Sequence, residues 1–146
     1  MIRNSPLPEN IADLLPTAFQ YLRFEEDILF AYLFGSFVGK KISHLSDVDI
    51  AVYVAEELCL AEAKLKILGN LTNILRTDEI DLVVLNKAPL TLRMKILENK
   101  KILVDKAPFL RHRYESLTMR QYFDFSFVEA SILGKRFLHG GQDANP

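Results

Sequence analysis

The feature that most constrains this chain lies between residues 31 and 54, which read AYLFGSFVGKKISHLSDVDIAVYV. One apolar run closes on Gly35-Ser36; after ten residues, Asp47-Val48-Asp49 opens another. Short apolar runs bounded by turn formers read as buried strands. Side chains alternate along a strand, so Asp47 and Asp49 share one face while Val48, Ile50, Val52 and Val54 share the other. Two carboxylates projecting side by side suit a divalent cation. Gly35 allows close backbone approach, and the N–H groups after it, at the start of a short helix, can hold an anion. An anion cradle facing an acidic pair is what a magnesium–nucleotide site requires, and the chain reads as a nucleotidyl-transfer enzyme.

The remaining text organises around these two strands. Ile11, Leu14, Leu15, Ala18, Phe19 and Leu22 recur at helical spacing from Pro8 to about Glu26, with a kink or break expected at Pro16. Residues 28–34 form the first strand, 36–41 a short helix and 47–54 the second strand. An amphipathic helix is predicted from Glu57 to about Arg76, carrying Leu58, Leu60, Leu65, Leu68, Leu71 and Leu75. Residues 79–85 (EIDLVVL) make a third strand with Ile80, Leu82 and Val84 on one face and Asp81, Val83 and Leu85 on the other. Pro89 suits the first position of a helix running to Asn99, and a short strand KILVD follows. A long helix is expected over 108–138, then a frayed tail from 139 to 146 beginning near Gly140-Gly141. The alternation of helices and strands predicts one α/β (α+β) domain over 1–146, a small mixed sheet of about four strands flanked by helices.

Composition narrows the class. With 49% hydrophobic and 25% charged residues the chain is neither disordered nor fibrous. A net charge of −1 supplies no broad positive field, so strong nucleic-acid binding is not expected. The single cysteine, Cys59, forms no internal disulfide and is expected to be buried in its helix; a reducing cytoplasm fits such a chain. No window approaches a membrane span, and MIRNSPLPEN has no signal-peptide apolar region, so a cytoplasmic protein is expected.

If the second and third strands are neighbours, Asp81 completes a cluster with Asp47 and Asp49, although Asp78 and Glu79 lie close enough to compete for that role. Crowded carboxylates repel unless cations neutralise them, and hard oxygen donors select magnesium or manganese over zinc. Two such ions can polarise the α-phosphate of a nucleoside triphosphate and activate a hydroxyl. Asp47 and Asp49 would bind both ions. Asp81 would bind the one nearest the nucleophile and serve as general base. Gly35 and Ser36 would hold the β- and γ-phosphates. A lone D-x-D is often only turn chemistry; its joint occurrence with Gly-Ser and a later strand Asp gives it meaning.

GSFVGKKISHLSDVDIAV matches the G-S-x(10)-D-x-D signature of the polymerase-beta-like nucleotidyltransferase superfamily. Together with the layout IDLVVLNKAPLTLRMKILENKKILVD, residues from about 25 to 125 resemble its minimal nucleotidyltransferase branch. The resemblance implies an antitoxin that transfers AMP from ATP to a tyrosine of a HEPN-domain toxin, with Gly35 and Ser36 binding phosphate and Asp47, Asp49 and Asp81 binding metal. Many members carry Arg-Gly shortly after Gly-Ser. Here the stretch is Val38-Gly39-Lys40, and Lys40 or Lys41 would supply the positive charge, with Arg93 and Lys95 as secondary candidates. Two alternatives stay open: an acceptor that is a small molecule or RNA end, and a non-catalytic antitoxin that acts by binding alone.

Other signals are poor. GSFVGKK lacks the spacing of a P-loop, and no G-x-S-x-G elbow surrounds Ser36. His44, His112 and His139 show no zinc spacing, although His44 precedes the acidic pair and is a candidate for positioning substrate. Arg111 to Glu115 (RHRYE) reads as a solvated helix face. On the last helix, Leu110, Tyr114, Leu117, Phe125, Val128 and Ile132 form one stripe; Phe109, Phe123, Phe127 and Leu138 form a second. The first is expected to cover the sheet, the second to serve self-association or partner docking.

Overall fold

A computed structural model of the chain describes residues 10–35, 47–55 and 59–142, with side chains through Leu133. The elements run α1 (Ile11–Phe24), β1 (Ile28–Phe34), β2 (Val48–Val54), α2 (Leu60–Leu75), β3 (Ile80–Val84), a single 3₁₀ turn (Leu85–Lys87), α3 (Leu90–Glu98), β4 (Lys100–Asp105) and α4 (Pro108–Gln142). The short helix expected over 36–41 lies outside the described residues.

The four strands form one mixed sheet in the order β3-β2-β1-β4. β1 pairs antiparallel with both β2 and β4, while β2 and β3 pair in parallel. Parallel neighbours need a crossover, which α2 supplies. The period-two pattern of β2 sorts its residues into two apolar layers. Val48, Ile50, Val52 and Val54 pack with Leu15, Ala18 and Leu22 of α1 and Ala63, Ile67, Leu71 and Leu75 of α2. Ala51 and Tyr53 turn to the opposite layer with Phe30, Tyr32, Phe34, Leu85 and Ile96, against which Leu110 and Tyr114 of α4 pack. Phe30 stacks on Tyr53 at 4.8 Å, and Tyr114 meets both rings edge-on at 5.7 and 5.4 Å. The Tyr114 hydroxyl donates to the Leu85 carbonyl at 2.7 Å, so this half-buried aromatic leaves no polar end unsatisfied.

Several expectations are corrected. α1 passes through Pro16 without a break, and the proline and Ala12 one turn before it are both exposed. Cys59 is exposed, because it precedes α2 instead of sitting within it. Leu65 is 71% exposed, since Ala63, Ile67, Leu71 and Leu75 define the buried stripe. Leu58 lies outside the described residues.

The RHRYE segment is not uniformly solvated. Arg111 is buried, donating to both oxygens of Asp105 at 3.0 Å and to Glu115 at 3.2 Å. Glu115 also accepts from the Tyr32 hydroxyl at 2.6 Å. This network fastens α4 to β1 and β4. The expected first stripe of α4 covers the sheet only at its start: Leu117, Phe125, Val128 and Ile132 are exposed, as are Phe109, Phe123 and Phe127. The helix outruns the sheet and continues to Gln142. Among the described residues, no helix is long and apolar enough to cross a membrane.

Candidate active site

The parallel ladder between β2 and β3 sets Asp49 directly opposite Asp81 and Val48 opposite Ile80. Partners in adjacent strands project from the same face about 5 Å apart. The Val48 N–H donates to the Glu79 carbonyl at 3.1 Å, fixing the entry to this register. Asp81 therefore holds the position opposite Asp49. Asp47 is half-buried one pleat before Asp49. Across the rest of the sheet Phe34 pairs with Asp49 on one side and with Lys100 on the other. The row Asp81, Asp49, Phe34, Lys100 thus spans the four strands on the face that α3 and α4 cover.

Gly35 ends β1 against this row. Its φ is +77°, and a Cβ there would overlap the Asp49 carboxylate, standing 3.0 Å from its carboxyl carbon. The left-handed backbone and the absence of a side chain are both required for the corner to lie against the carboxylate. The structure thus gathers Gly35, Asp47, Asp49 and Asp81 at one end of the sheet. Ser36, Lys40, Lys41 and His44 lie outside the described residues.

The electrostatics follow from the crowding. Burial, then the negative charges of Asp81 and Asp47, push the Asp49 carboxyl up to about 6, while Lys95 opposes the rise. Among the described residues, no three His, Cys, Asp or Glu side chains stand ready-disposed around a metal ion. The carboxylates are close enough to repel but not closed on a common point. As a donor set they fit magnesium or manganese: hard oxygens whose mutual repulsion a cation relieves. Lys95, only a secondary candidate in the sequence, is among the described residues a cation whose field reaches Asp49. Its signal is its place on α3, one residue before the buried Ile96 and three after Leu92.

The family model described as "Polymerase beta, Nucleotidyltransferase" matches residues 17–109. No curated protein matches the chain. Among solved structures, it is 25% identical to a chain of the tri-AMPylated Shewanella oneidensis HEPN toxin in complex with MNT antitoxin. That match covers 86% of this chain and 92% of the other, with a TM-score of 0.58. A chain of a mutant MntA-HpeT toxin-antitoxin is 27% identical over 88% of this chain and 97% of its own, at a TM-score of 0.60. A toxin-antitoxin crystallised with AMP-PNP shares the fold at 23% identity and a TM-score of 0.64, over 84% of this chain and 95% of that one.

Proposed function

Because the chain belongs to the polymerase beta nucleotidyltransferase family, we propose that it transfers AMP from ATP to a tyrosine hydroxyl of a HEPN-domain toxin and so acts as that toxin's antitoxin. The observation that carries this reading is the ladder pairing of Asp49 with Asp81 beneath the Gly35 corner. The likeness to a chain from a complex whose HEPN toxin carries AMP supports the choice of acceptor.

Asp47, Asp49 and Asp81 would hold magnesium, or manganese, which when bound supplies positive charge at the α-phosphate and lowers the acidity barrier of the attacking hydroxyl. Gly35, the Ser36 hydroxyl and backbone, and Lys40 would bind the β- and γ-phosphates. Asp81, the most exposed of the three carboxylates, takes the proton from the acceptor hydroxyl. The acceptor oxygen then bonds to the α-phosphorus, the bond from that phosphorus to the α–β bridging oxygen breaks, and pyrophosphate leaves.

A second reading, neutralisation by binding, draws on one observation. The outer half of α4 exposes Phe123, Phe125, Phe127, Val128 and Ile132, more apolar surface than a soluble helix usually leaves uncovered. Docking through α4 and transfer at the carboxylates are compatible, since an enzyme that modifies a protein must hold it.

The test is incubation with labelled ATP, magnesium and the partner toxin. Label is expected on the toxin, with pyrophosphate released, and Asp47→Asn or Asp49→Asn is expected to abolish transfer while circular dichroism stays unchanged. Folded variants that retain full transfer would overturn the assignment. Label on RNA or a small molecule would replace the acceptor.

A further inference from the structure

Three carboxylates and a nucleoside triphosphate together carry more negative charge than two divalent cations and Lys40 neutralise, so the proposed reaction calls for a further protein cation near the acidic row. Among the described residues, Arg93, Lys100 and Arg111 are already committed. Arg93 donates to Thr118 and Gln121 at 3.3 Å and lies over the Tyr114 ring. Lys100 sits 3.8 Å from Glu115 and over the Tyr32 ring. Arg111 is held by Asp105 and Glu115. These three fasten α4 to the rest of the domain.

Lys95 is different. Among the described residues it makes no hydrogen bond or ion pair, and it is exposed. Its direction follows from the packing of α3. Leu92, Ile96 and Leu97 pack into the apolar layer on the sheet, and Arg93 turns toward α4. At about 100° per residue, Lys95 stands about 160° around the helix from Arg93. α4 is fastened to β1 and β4, and its Tyr114 meets Tyr53 and Leu85 at the ends of β2 and β3 opposite to Asp49 and Asp81. Lys95 therefore rises from the flank of α3 turned away from Arg93 and its partners on α4. α3 ends at Glu98, and β4 begins beside Phe34, the partner of Asp49. This places the last turn of α3, with Lys95 in it, at the end of the sheet where the carboxylates lie.

We propose that Lys95 binds the phosphates of the incoming nucleotide, acting as a positioning cation that reaches over the acidic row from α3. This deepens the nucleotidyl-transfer reading and rests on it. A four-carbon stem with a compact charge suits the task, because it can follow a flexible triphosphate without a fixed planar geometry.

Equilibrium titration with ATP and magnesium, without acceptor, tests the role in the wild type, Lys95→Ala, Lys95→Arg and the exposed control Lys101→Ala. Loss of one charge-assisted contact is expected to weaken ATP binding about ten- to a hundredfold in Lys95→Ala. Lys95→Arg should recover most of it, and Lys101→Ala should match the wild type. In turnover, Lys95→Ala should raise KM for ATP more than it lowers kcat, with its unfolding midpoint unchanged. Unaltered ATP affinity in folded Lys95→Ala, or equal weakening in Lys101→Ala, would overturn the proposal. A wild type that neither binds ATP nor transfers label would instead overturn the underlying transfer reading, and the role of Lys95 with it.

Discussion

With its carboxyl half-buried beside Asp47 and Asp81, Asp49 keeps its proton up to about pH 6 instead of the usual 3.8, and the metal-free protein bears the cost of ionising it above that pH. The sign follows from linkage. The folded state binds this proton more tightly than the unfolded chain, so stability falls as pH rises from about 4 to about 6 and stays lower beyond. Discounted for solvent screening of a half-exposed group, the penalty is about 1 kcal/mol. Metal-free Asp49→Asn should therefore be about 1 kcal/mol more stable than the wild type at pH 7.5 and equal to it near pH 4, as urea unfolding in EDTA would measure. A variant that is less stable at neutral pH would mean that Asp49 makes favourable contacts outweighing the repulsion. Under the proposed function the same repulsion would favour cation binding, which gives such an unfavourable residue a reason to sit there.

At the level of elements, local periodicity predicts what a strand or helix does along its own length and little of what crosses between elements. The alternation through Asp47, Val48, Asp49 and Ile50 was enough to separate the polar from the apolar face of β2, and Gly35 marked the corner. Asp81 could be nominated but not chosen over Asp78 or Glu79, because that choice depends on the register of two strands far apart in sequence. Arg111 is buried for a related reason: it is held by Asp105 of β4 and by Glu115, which Tyr32 of β1 also engages, and the periodicity of α4 alone does not show these cross-element partners. α2 gives a case where the local argument suffices. Gly69 lies inside the helix, and a Cβ there would meet no atom within 4 Å. Gly69→Ala should stabilise the fold by about 0.5–1 kcal/mol through lost unfolded-state freedom, read as a higher urea midpoint at constant slope. A lower midpoint would imply close packing at a position that is open.

Over the whole molecule, the sheet and its two apolar layers account for α1 to β4, whereas the outer half of α4 covers no surface among the described residues. Phe123 is 70% exposed and Phe127 76% exposed, so replacing both with glutamate removes little burial. Unfolding free energy should change by no more than about 0.5 kcal/mol, while capture of the HEPN toxin in a pull-down weakens at least about tenfold, the loss expected on removing two aromatic anchors. Asp47→Asn should leave capture intact and remove transfer. Equal capture by the double glutamate variant would take α4 out of the interface.

The ladder between β2 and β3 has one more consequence. Because side chains on a strand alternate, a slip of one residue there would swing Asp81 away from Asp49 and into the oily layer beneath α2, where an unpaired charge is severely disfavoured. The mispairing that would part the two carboxylates is thus also one the interior rejects, so folding itself proofreads the alignment on which the proposed chemistry would depend.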